Sequence, residues 1–154
     1  MIEIPGYGRF LIEHIVCDYN GTIAKDGVLL PETIPLLKSL SATYRVHIVT
    51  ADTFGSVEAQ IAGLGVNLKI LTSDDHTAEK RGFVEALGCE RCAAIGNGNN
   101  DAQMLRSARI AVAVMGDEGC AAEALQSADI LCRSGAEALA LFTNPKRMTA
   151  TLRK

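Results

Sequence analysis

The sequence lacks any apolar run close to the roughly 18 residues that a membrane-spanning helix needs. The segment from Met1 to Phe10 also lacks the basic-then-apolar pattern of a secretory signal peptide. No internal repeat, low-complexity segment or linker interrupts the chain. We therefore expect a cytoplasmic protein that has no membrane partner.

An excess of basic charge is lacking as well. The chain has 15 Lys and Arg against 18 Asp and Glu, a net charge of −3. Non-specific binding to nucleic acid is therefore not expected. A length of 154 residues is enough to bury a full core, and we expect one domain over residues 1–154.

The cysteines give little indication of cross-links or a metal site. Cys17 and Cys132 lie in apolar, strand-like runs and are predicted to be buried thiols. Cys89 and Cys92 form a single C-x-x-C without a second pair or nearby histidines, which is a weak indication of zinc or redox chemistry. The odd total of five favours a reducing compartment.

Short apolar runs alternate with helical patterns along the chain. Buried parallel strands are predicted at residues 14–18, 45–50, 68–72, 92–95, 110–115 and 129–132. Helices are predicted at residues 31–40, 53–64, 77–87, 100–108, 120–128 and 135–142. This alternation predicts an α/β fold, a three-layer Rossmann-like parallel sheet with helices on both faces. Residues 2–12, rich in glycine and proline, are predicted to form an irregular edge hairpin.

Polar segments follow four of these strands. They are Asp18-Tyr-Asn-Gly-Thr22, Thr50-Ala-Asp52, Ser73-Asp-Asp-His76 and the segment 96–101, and Lys80 lies on the helix before the fourth strand. Ligands bind beyond the carboxyl ends of parallel strands, so these side chains are expected in one crevice. Each segment alone is more typical of a turn, a helix cap or a solvated lysine. Their occurrence at successive strand ends favours a site.

This set of residues suits phosphoryl transfer. An aspartate can attack phosphorus and form an acyl-phosphate, which divides a difficult reaction into two steps. A lysine and a hydroxyl group can hold the phosphoryl oxygens, and Mg²⁺ between two carboxylates offsets their charge. The sequence therefore indicates a magnesium-dependent site with Asp18 at its centre.

Three of these segments, together with Lys80, resemble the four motifs of the haloacid dehalogenase-like (HAD) superfamily of aspartate-nucleophile phosphotransferases. They are most similar to the phosphorylation domain of P-type ATPases, where the motifs are Asp-Lys-Thr-Gly-Thr, Thr-Gly-Asp, a helical lysine and Gly-Asp-Gly-x-Asn-Asp. The counterparts here are Asp18-Tyr-Asn-Gly-Thr22, Thr50-Ala-Asp52, Lys80 and Gly96-Asn-Gly-Asn-Asn-Asp101. The resemblance covers about residues 15–131.

The resemblance implies a free-standing phosphatase and not an ion pump. Only residues 23–49 separate the first two motifs, which leaves no room for the pumps' nucleotide-binding insertion. The second insertion point, residues 53–76, has space only for a helix and a strand. The protein is therefore expected to be capless and to act on a small phosphorylated compound.

Individual roles also follow from the resemblance. The catalytic residues it implies are Asp18 as nucleophile, with Asn20, Thr50 and Lys80. The substrate-binding residues it implies are Gly21, Thr22, Thr50, Ala51, Lys80 and Asn100. The Mg²⁺ ligands it implies are Asp18, the carbonyl of Asn20, Asp101 and Asn97, while Asp52 braces the loops.

Two departures from the family pattern bear on activity. Asn20 replaces the aspartate that superfamily phosphatases use as general acid and base, so either hydrolysis is expected to be slow or another group activates the water. Asn97 replaces another aspartate and weakens the charge at the metal. The alternative is therefore a regulatory or binding protein with little turnover. A bacterial receiver domain is disfavoured because its acidic pair comes near the start and its phosphorylated aspartate follows a middle strand.

An open crevice also suggests that another subunit covers it. Apolar residues in the segment 2–12 offer a contact surface, so we expect a homo-oligomer. The alternative is that this segment only covers its own sheet edge.

Overall fold

The computed structural model describes residues 1–52 and 55–154. Its strands are β1 (Ile2–Ile4), β2 (Gly8–Phe10), β3 (His14–Asp18), β4 (Ala24–Lys25), β5 (Val28–Leu29), β6 (Arg45–Thr50), β7 (Asn67–Ile70), β8 (Cys92–Gly96), β9 (Ile110–Val114) and β10 (Ile130–Cys132). Six of them form a parallel sheet in the order β10-β9-β8-β3-β6-β7. Every residue of β3, β8 and β9 is buried, as expected for strands with helices on both sides.

Helices cover both faces of this sheet. They are α1 (Ile34–Leu40), α2 (Ser56–Ile61), α3 (His76–Leu87), α4 (Ala102–Ser107), α5 (Ala122–Gln126), α6 (Gly135–Thr143) and α7 (Lys146–Leu152). Apolar residues of α1, α2 and α6 share one core with one face of the sheet, and those of α3, α4 and α5 share a second core with the other face. The predicted three-layer α/β architecture is confirmed. Within the described ranges, no helix is both long and apolar enough to cross a membrane.

Strand β3 lies where the strand order reverses. The chain passes from β3 to β6 and β7 on one side and then crosses to β8 on the other, so β3 has a parallel neighbour on each side. In open α/β sheets this switch point opens a crevice beyond the carboxyl ends of the strands. Asp18, the last residue of β3, is therefore at the position where such sheets bind ligands.

Most predicted elements are present with small changes at their ends. The helix predicted at 100–108 is preceded by a 3-10 turn, Asn99–Asp101, and α4 begins at Ala102. The start of the helix predicted at 53–64 lies outside the described residues, whereas α2 covers its middle. Helix α7 is not among the predicted helices, because a pair such as Asn144-Pro145 usually ends helical structure. Pro145 is instead the N-cap of α7, a position that needs no backbone N–H from proline.

The N-terminal hairpin differs from its prediction. Strands β1 and β2 pair only with each other, antiparallel, and do not extend the main sheet. The apolar side chains that looked exposed in the sequence are buried in the first core; they are Ile2, Ile4, Phe10 and Ile12. The guanidinium of Arg109 lies 4.4 Å from the centre of the Phe10 ring, which adds a cation–π contact. These four side chains are therefore not available for contact with another subunit, whereas Leu11 of the same segment is exposed.

Between β3 and α1, the chain forms only a small hairpin, β4–β5. One side is fixed by Gln60 of α2, whose amide donates to the carbonyl of Gly27 at 2.9 Å and accepts from the N–H of Leu29 at 2.6 Å. On the other side, Lys25 pairs with Asp117 at 3.1 Å. Contacts on both sides therefore fix this hairpin, and Gly27 at its turn lines a cavity together with Asn20 and Thr50.

Candidate active site

Asp18 is buried at the end of β3 and each of its carboxylate oxygens has a partner. The hydroxyl of Thr22 donates to Oδ2 at 3.1 Å, and the ammonium of Lys80 donates to Oδ1 at 2.9 Å. The sharp turn after β3 makes the first contact possible, because Gly21 has the left-handed φ of 79° that glycine tolerates. The first motif, residues 18–22, therefore folds back so that Thr22 contacts Asp18.

Lys80 is brought to Asp18 by helix α3. The helix begins at Asp75, whose carboxylate accepts from the N–H of Ala78 at 3.0 Å, a standard N-cap. Lys80 then lies on the inner face, only 2% exposed, with its ammonium 2.7 Å from Oδ1 of Asp101. Its third contact is the side-chain oxygen of Asn100, at 3.2 Å. A buried ammonium needs such partners, and it has three.

Asp101 is fully buried and organises the loop after β8. Its second oxygen, Oδ2, accepts from the backbone N–H groups of Asn97 and Gly98, each at 3.0 Å. The carboxylate lies so close to the strand end that a Cβ at Gly96 would be 2.6 Å from its carboxyl carbon. The glycine that opens the fourth motif is therefore needed for the approach of Asp101.

The electrostatics are those of two carboxylates that share one ammonium. Burial raises the pKa of Asp18, and the Asp101 carboxylate raises it further, against the opposing effect of Lys80. Burial alone would lower the pKa of Lys80, but the two carboxylates outweigh it and raise this pKa. With all three groups ionised, the cluster has an excess of one negative charge. A bound cation would balance it.

A cavity of about 250 Å³ opens directly above this cluster. Its lining residues are Asp18, Asn20, Thr50, Ala51, Leu71, His76, Lys80, Asn97, Gly98 and Asn100. The fold thus brings together most of the site residues predicted from the sequence, with Asp101 packed beneath them. His76 has no catalytic, substrate-binding or metal role among the sequence predictions, although it ends the segment 73–76 that is expected in the crevice. Its spacing of four residues before Lys80 places it on the same helix face.

Gly21 and Thr22 lie elsewhere. They line a smaller cavity of about 100 Å³, together with residues of the β4–β5 hairpin and of the loop after β9. Thr22 is only 1% exposed and contacts Asp18 rather than open space. Their predicted role in binding substrate is therefore not reflected in the lining of the larger cavity.

Asp52 links the second motif to the start of α2. Its carboxylate accepts from the N–H of Val57 at 3.0 Å and from the hydroxyl of Ser56 at 3.4 Å, both in the first turn of α2. The backbone N–H of Asp52 donates to the hydroxyl oxygen of Thr50 at 3.3 Å, which orients that hydroxyl. A further cavity of about 260 Å³ continues from this point and shares Asn20, Thr50 and Ala51 with the first. Together the two cavities leave room for a phosphoryl group and a small leaving group.

Helix α6 packs against the loop that follows β3. A Cβ built at Gly135, its first residue, would overlap the carbonyl oxygen of Thr22. On the same side, the amide oxygen of Asn97 accepts from the Thr22 hydroxyl at 3.3 Å, while its amide nitrogen donates to the carbonyl of Gly119 at 3.1 Å. Segments distant in sequence therefore fix the position of the Asp18 loop.

The groups at this cavity that could bind a metal ion are oxygen donors. Over residues 1–52 and 55–154 no group of three His, Cys, Asp or Glu side chains is placed to hold a metal ion. All five cysteines are free thiols, and Cys92 is buried with its thiol directed at the carbonyl of Val84. What the cavity does offer is Asp18, the exposed Asn20 and the amide of Asn97, with Asp101 below. A few oxygen donors and open space for water suit Mg²⁺, which keeps several waters.

No protein-family model matches the chain. An uncharacterised protein of Methanocaldococcus jannaschii is 43% identical over 60 residues, which are 39% of this chain and 64% of that protein. The match therefore spans less than two thirds of that relative.

Solved structures cover far more of the chain. The 3-deoxy-D-manno-octulosonate 8-phosphate phosphatase of Moraxella catarrhalis, in complex with magnesium, phosphate and KDO, has a TM-score of 0.71 at 19% identity over 92% of this chain and 94% of that one. The cobalt-bound deoxy-D-mannose-octulosonate 8-phosphate phosphatase of Haemophilus influenzae has a TM-score of 0.69 at 16% identity, covering 90% and 88%. A HAD superfamily (subfamily III A) hydrolase of Legionella pneumophila has a TM-score of 0.70 at 17% identity, covering 92% and 87%. The chain therefore shares the α/β fold of these structures, which is HAD-like.

Proposed function

We propose that this protein is a Mg²⁺-dependent phosphatase that forms an aspartyl-phosphate on Asp18 and acts on a small phosphorylated compound. The observation that carries this proposal is the buried cluster of Asp18, Lys80 and Asp101 at the strand-order switch point, where Asp18 and Lys80 line a cavity. A carboxylate held by one lysine at the floor of a cavity is positioned as a nucleophile.

Each residue of the cavity has a place in such a reaction. A carboxylate oxygen of Asp18 attacks phosphorus, and the bond from phosphorus to the leaving oxygen breaks. Lys80 and the hydroxyl of Thr50 hold the phosphoryl oxygens, whose charge is spread over the group during transfer. Water then attacks the aspartyl-phosphate, which releases inorganic phosphate and restores Asp18. The helix-anchored Lys80 needs little rearrangement to serve both steps.

Mg²⁺ is the cofactor we propose, since two carboxylates with one ammonium leave a negative charge uncompensated. Asp18, the carbonyl of Asn20 and the amide oxygen of Asn97 would hold the ion, and when bound it supplies positive charge to the transferring phosphoryl group. Asp101 is fully buried and does not line the cavity, so we assign it to the ion through water and through the loop that it fixes. Magnesium in the Moraxella structure and cobalt in the Haemophilus structure support this proposal.

The motif resemblance supports a site of the P-type ATPase kind, in which the aspartyl-phosphate is long-lived. Asn20 is consistent with this because an amide cannot exchange a proton usefully near neutral pH. The same observation favours the second candidate function, a regulatory or binding protein with little turnover. Five free thiols support a reducing, cytoplasmic location. A homo-oligomer stays a prediction, which light scattering at micromolar concentration tests.

The test is hydrolysis of p-nitrophenyl phosphate by the purified chain with and without Mg²⁺. We expect turnover that requires Mg²⁺ and is abolished in Asp18→Asn, which keeps the shape of the side chain but removes the nucleophile. Asp117→Asn, at an exposed ion pair with Lys25, is the matched control and should keep full activity. Retained turnover in Asp18→Asn would refute the proposal, and binding of the metal without any turnover would favour the regulatory alternative.

A further inference from the structure

We propose that His76 is a catalytic residue, which donates a proton to the leaving oxygen and later accepts one from the attacking water. This inference rests on the proposed function and names the group that Asn20 does not provide. The phosphatase reaction needs such a group because an alkoxide is a poor leaving group unless it receives a proton.

The position of His76 follows from the same helix that positions the nucleophile's lysine. His76 is the first residue of α3, and Lys80 lies four residues later. Residues four apart in a helix lie on one face, one turn from each other. Lys80 reaches Asp18 at the cavity floor, so His76 lies one turn nearer the mouth, where the half-buried side chain lines the same cavity. A leaving group attached to a phosphoryl group at the cavity floor would extend towards the mouth and pass His76.

The other titratable groups of this cavity already have roles in the proposed reaction. Asp18 is the nucleophile, and Lys80 is bound by both carboxylates. Asp101 lies beneath the floor with no exposed surface. Among the lining residues that the structure describes, His76 is the remaining side chain that can exchange a proton in this way. Histidine is also the most common general acid and base in enzymes.

The neighbouring acidic groups on the helix are engaged elsewhere, which leaves the imidazole free to face the cavity. Asp75 caps the helix at Ala78, and Glu79 accepts from the backbone N–H groups of Thr72 and Ser73 at 2.8–3.2 Å.

The proton transfers balance over the two steps. In the first, Asp18 forms a bond to phosphorus, the phosphorus–oxygen bond to the alcohol breaks, and imidazolium gives its proton to that oxygen. In the second, neutral imidazole takes a proton from water as the water oxygen bonds to phosphorus and the bond to Asp18 breaks. The products are the alcohol and inorganic phosphate, and His76 returns to its starting state.

The experiment compares two substrates with the wild type and His76→Gln. An alkyl phosphate such as glycerol phosphate needs a proton on its leaving oxygen, whereas p-nitrophenolate leaves without one. Because kcat/KM reports the first step alone, we expect it to fall by ~10²–10⁴-fold for the alkyl ester and by less than about tenfold for the nitrophenyl ester. The kcat should fall for both, since the second step is common to them. Added imidazole should restore part of the activity of His76→Ala.

The control is Asp74→Asn, an exposed residue two positions earlier, which should leave both substrates unaffected. Equal losses of kcat/KM on the two esters, or none on the alkyl ester, would overturn the role of His76 while leaving the proposed phosphatase intact. Wild-type protein that hydrolyses neither ester would overturn both. Melting temperatures of the His76 variants close to that of the wild type would exclude unfolding as the cause.

Discussion

Lys80 and Asp101 form an ion pair of 2.7 Å at the base of the candidate site, and neither side chain is more than 3% exposed. Such a pair has lost its hydration, so each partner depends on the other and on its remaining hydrogen bonds. Asp101 also holds the backbone of Asn97 and Gly98. The metal site and the stability of the fold are therefore linked through one carboxylate.

We predict that Asp101→Ala removes Mg²⁺ binding and lowers the free energy of unfolding by about 3 kcal/mol, because Lys80 loses a buried partner and two N–H groups lose their acceptor. Calorimetric titration with Mg²⁺ and urea denaturation measure the two effects. Glu137→Gln, at an exposed pair with Arg133, should change stability by no more than about 1 kcal/mol. Unchanged Mg²⁺ affinity in a folded Asp101→Ala would exclude Asp101 from the metal site.

Asn20 provides the second prediction. Asn20 is exposed and lines the cavity, and the motif resemblance implies that it stands where phosphatases of the superfamily have their general acid and base. Asn20→Asp should raise turnover by up to ~10²–10⁴-fold, because it adds a positioned proton donor and acceptor. Steady-state hydrolysis of the alkyl ester measures it, with Asn20→Thr as the variant that should not gain.

The gain in turnover expected for Asn20→Asp should also depend on His76. If both side chains serve the same proton transfers, Asn20→Asp should help more in a His76→Gln background than in the wild type. A flat or lower rate for Asn20→Asp in both backgrounds would show that loss of this aspartate does not limit hydrolysis.

The third prediction concerns Gly135, which adjoins the carbonyl of Thr22. A methyl group in Gly135→Ala would push the catalytic loop, and with it the Thr22 hydroxyl that binds Asp18, out of position. We expect kcat to fall roughly 10²-fold, since displacements of about 1 Å at a site have that effect. Mg²⁺ affinity, measured by calorimetry, should fall with it.

Gly82→Ala is the matched control for this substitution. Gly82 is in helix α3, and a Cβ there would meet nothing within 4 Å. Alanine should stabilise that helix by about 0.5–1 kcal/mol and leave the activity unchanged. Wild-type kcat and Mg²⁺ affinity in Gly135→Ala would show that the loop is positioned without this contact.

Much of the fold and the core of the site could be predicted from the sequence, because both rest on local patterns. Apolar runs of strand length specify β3 and β6, and the order of the motifs places Asp18, Thr50 and Lys80 at one edge of the sheet. The pairing of β1 with β2 could not be predicted in the same way, since a Gly- and Pro-rich segment carries no periodic signal for its packing partner.

Contacts between segments that are distant in the sequence could not be predicted either. Gly135 and Thr22 meet only because α6 packs against the turn after β3, and nothing in either segment indicates the other. The helical spacing between His76 and Lys80 was visible in the sequence. It indicates a site residue only once α3 is known to start at His76, with Asp75 as its N-cap, and to face the cavity. Helix α7 was missed because a proline marks the first turn of a helix as often as it marks an end.

The last prediction concerns two histidines beneath the site. His14 of β3 and His47 of β6 are buried with Nδ1 of the first 3.0 Å from Nε2 of the second. One ring must donate and the other accept, so the pair holds together only while one nitrogen at the contact carries no proton. Burial lowers the pKa of His47 to about 4, with a smaller effect of the His14 ring, and burial also lowers the pKa of His14.

Since histidine in an unfolded chain has a pKa near ~6.5, the unfolded state binds protons between about pH 6.5 and about pH 4 that the folded state does not. The contribution of His47 to stability should therefore be complete above about pH 6.5 and be lost as the pH decreases towards about 4, a loss on the order of 3 kcal/mol. Asp18 acts in the opposite sense over this range, because its pKa is raised to about 7, so the contribution of His47 is measured as the difference between wild type and His47→Gln. Urea denaturation across this range should show that His47→Gln loses less stability than the wild type as the pH falls, whereas His76→Gln, which leaves the pair intact, should keep the wild-type pH dependence. The same pH dependence in wild type and His47→Gln would contradict a neutral, buried pair.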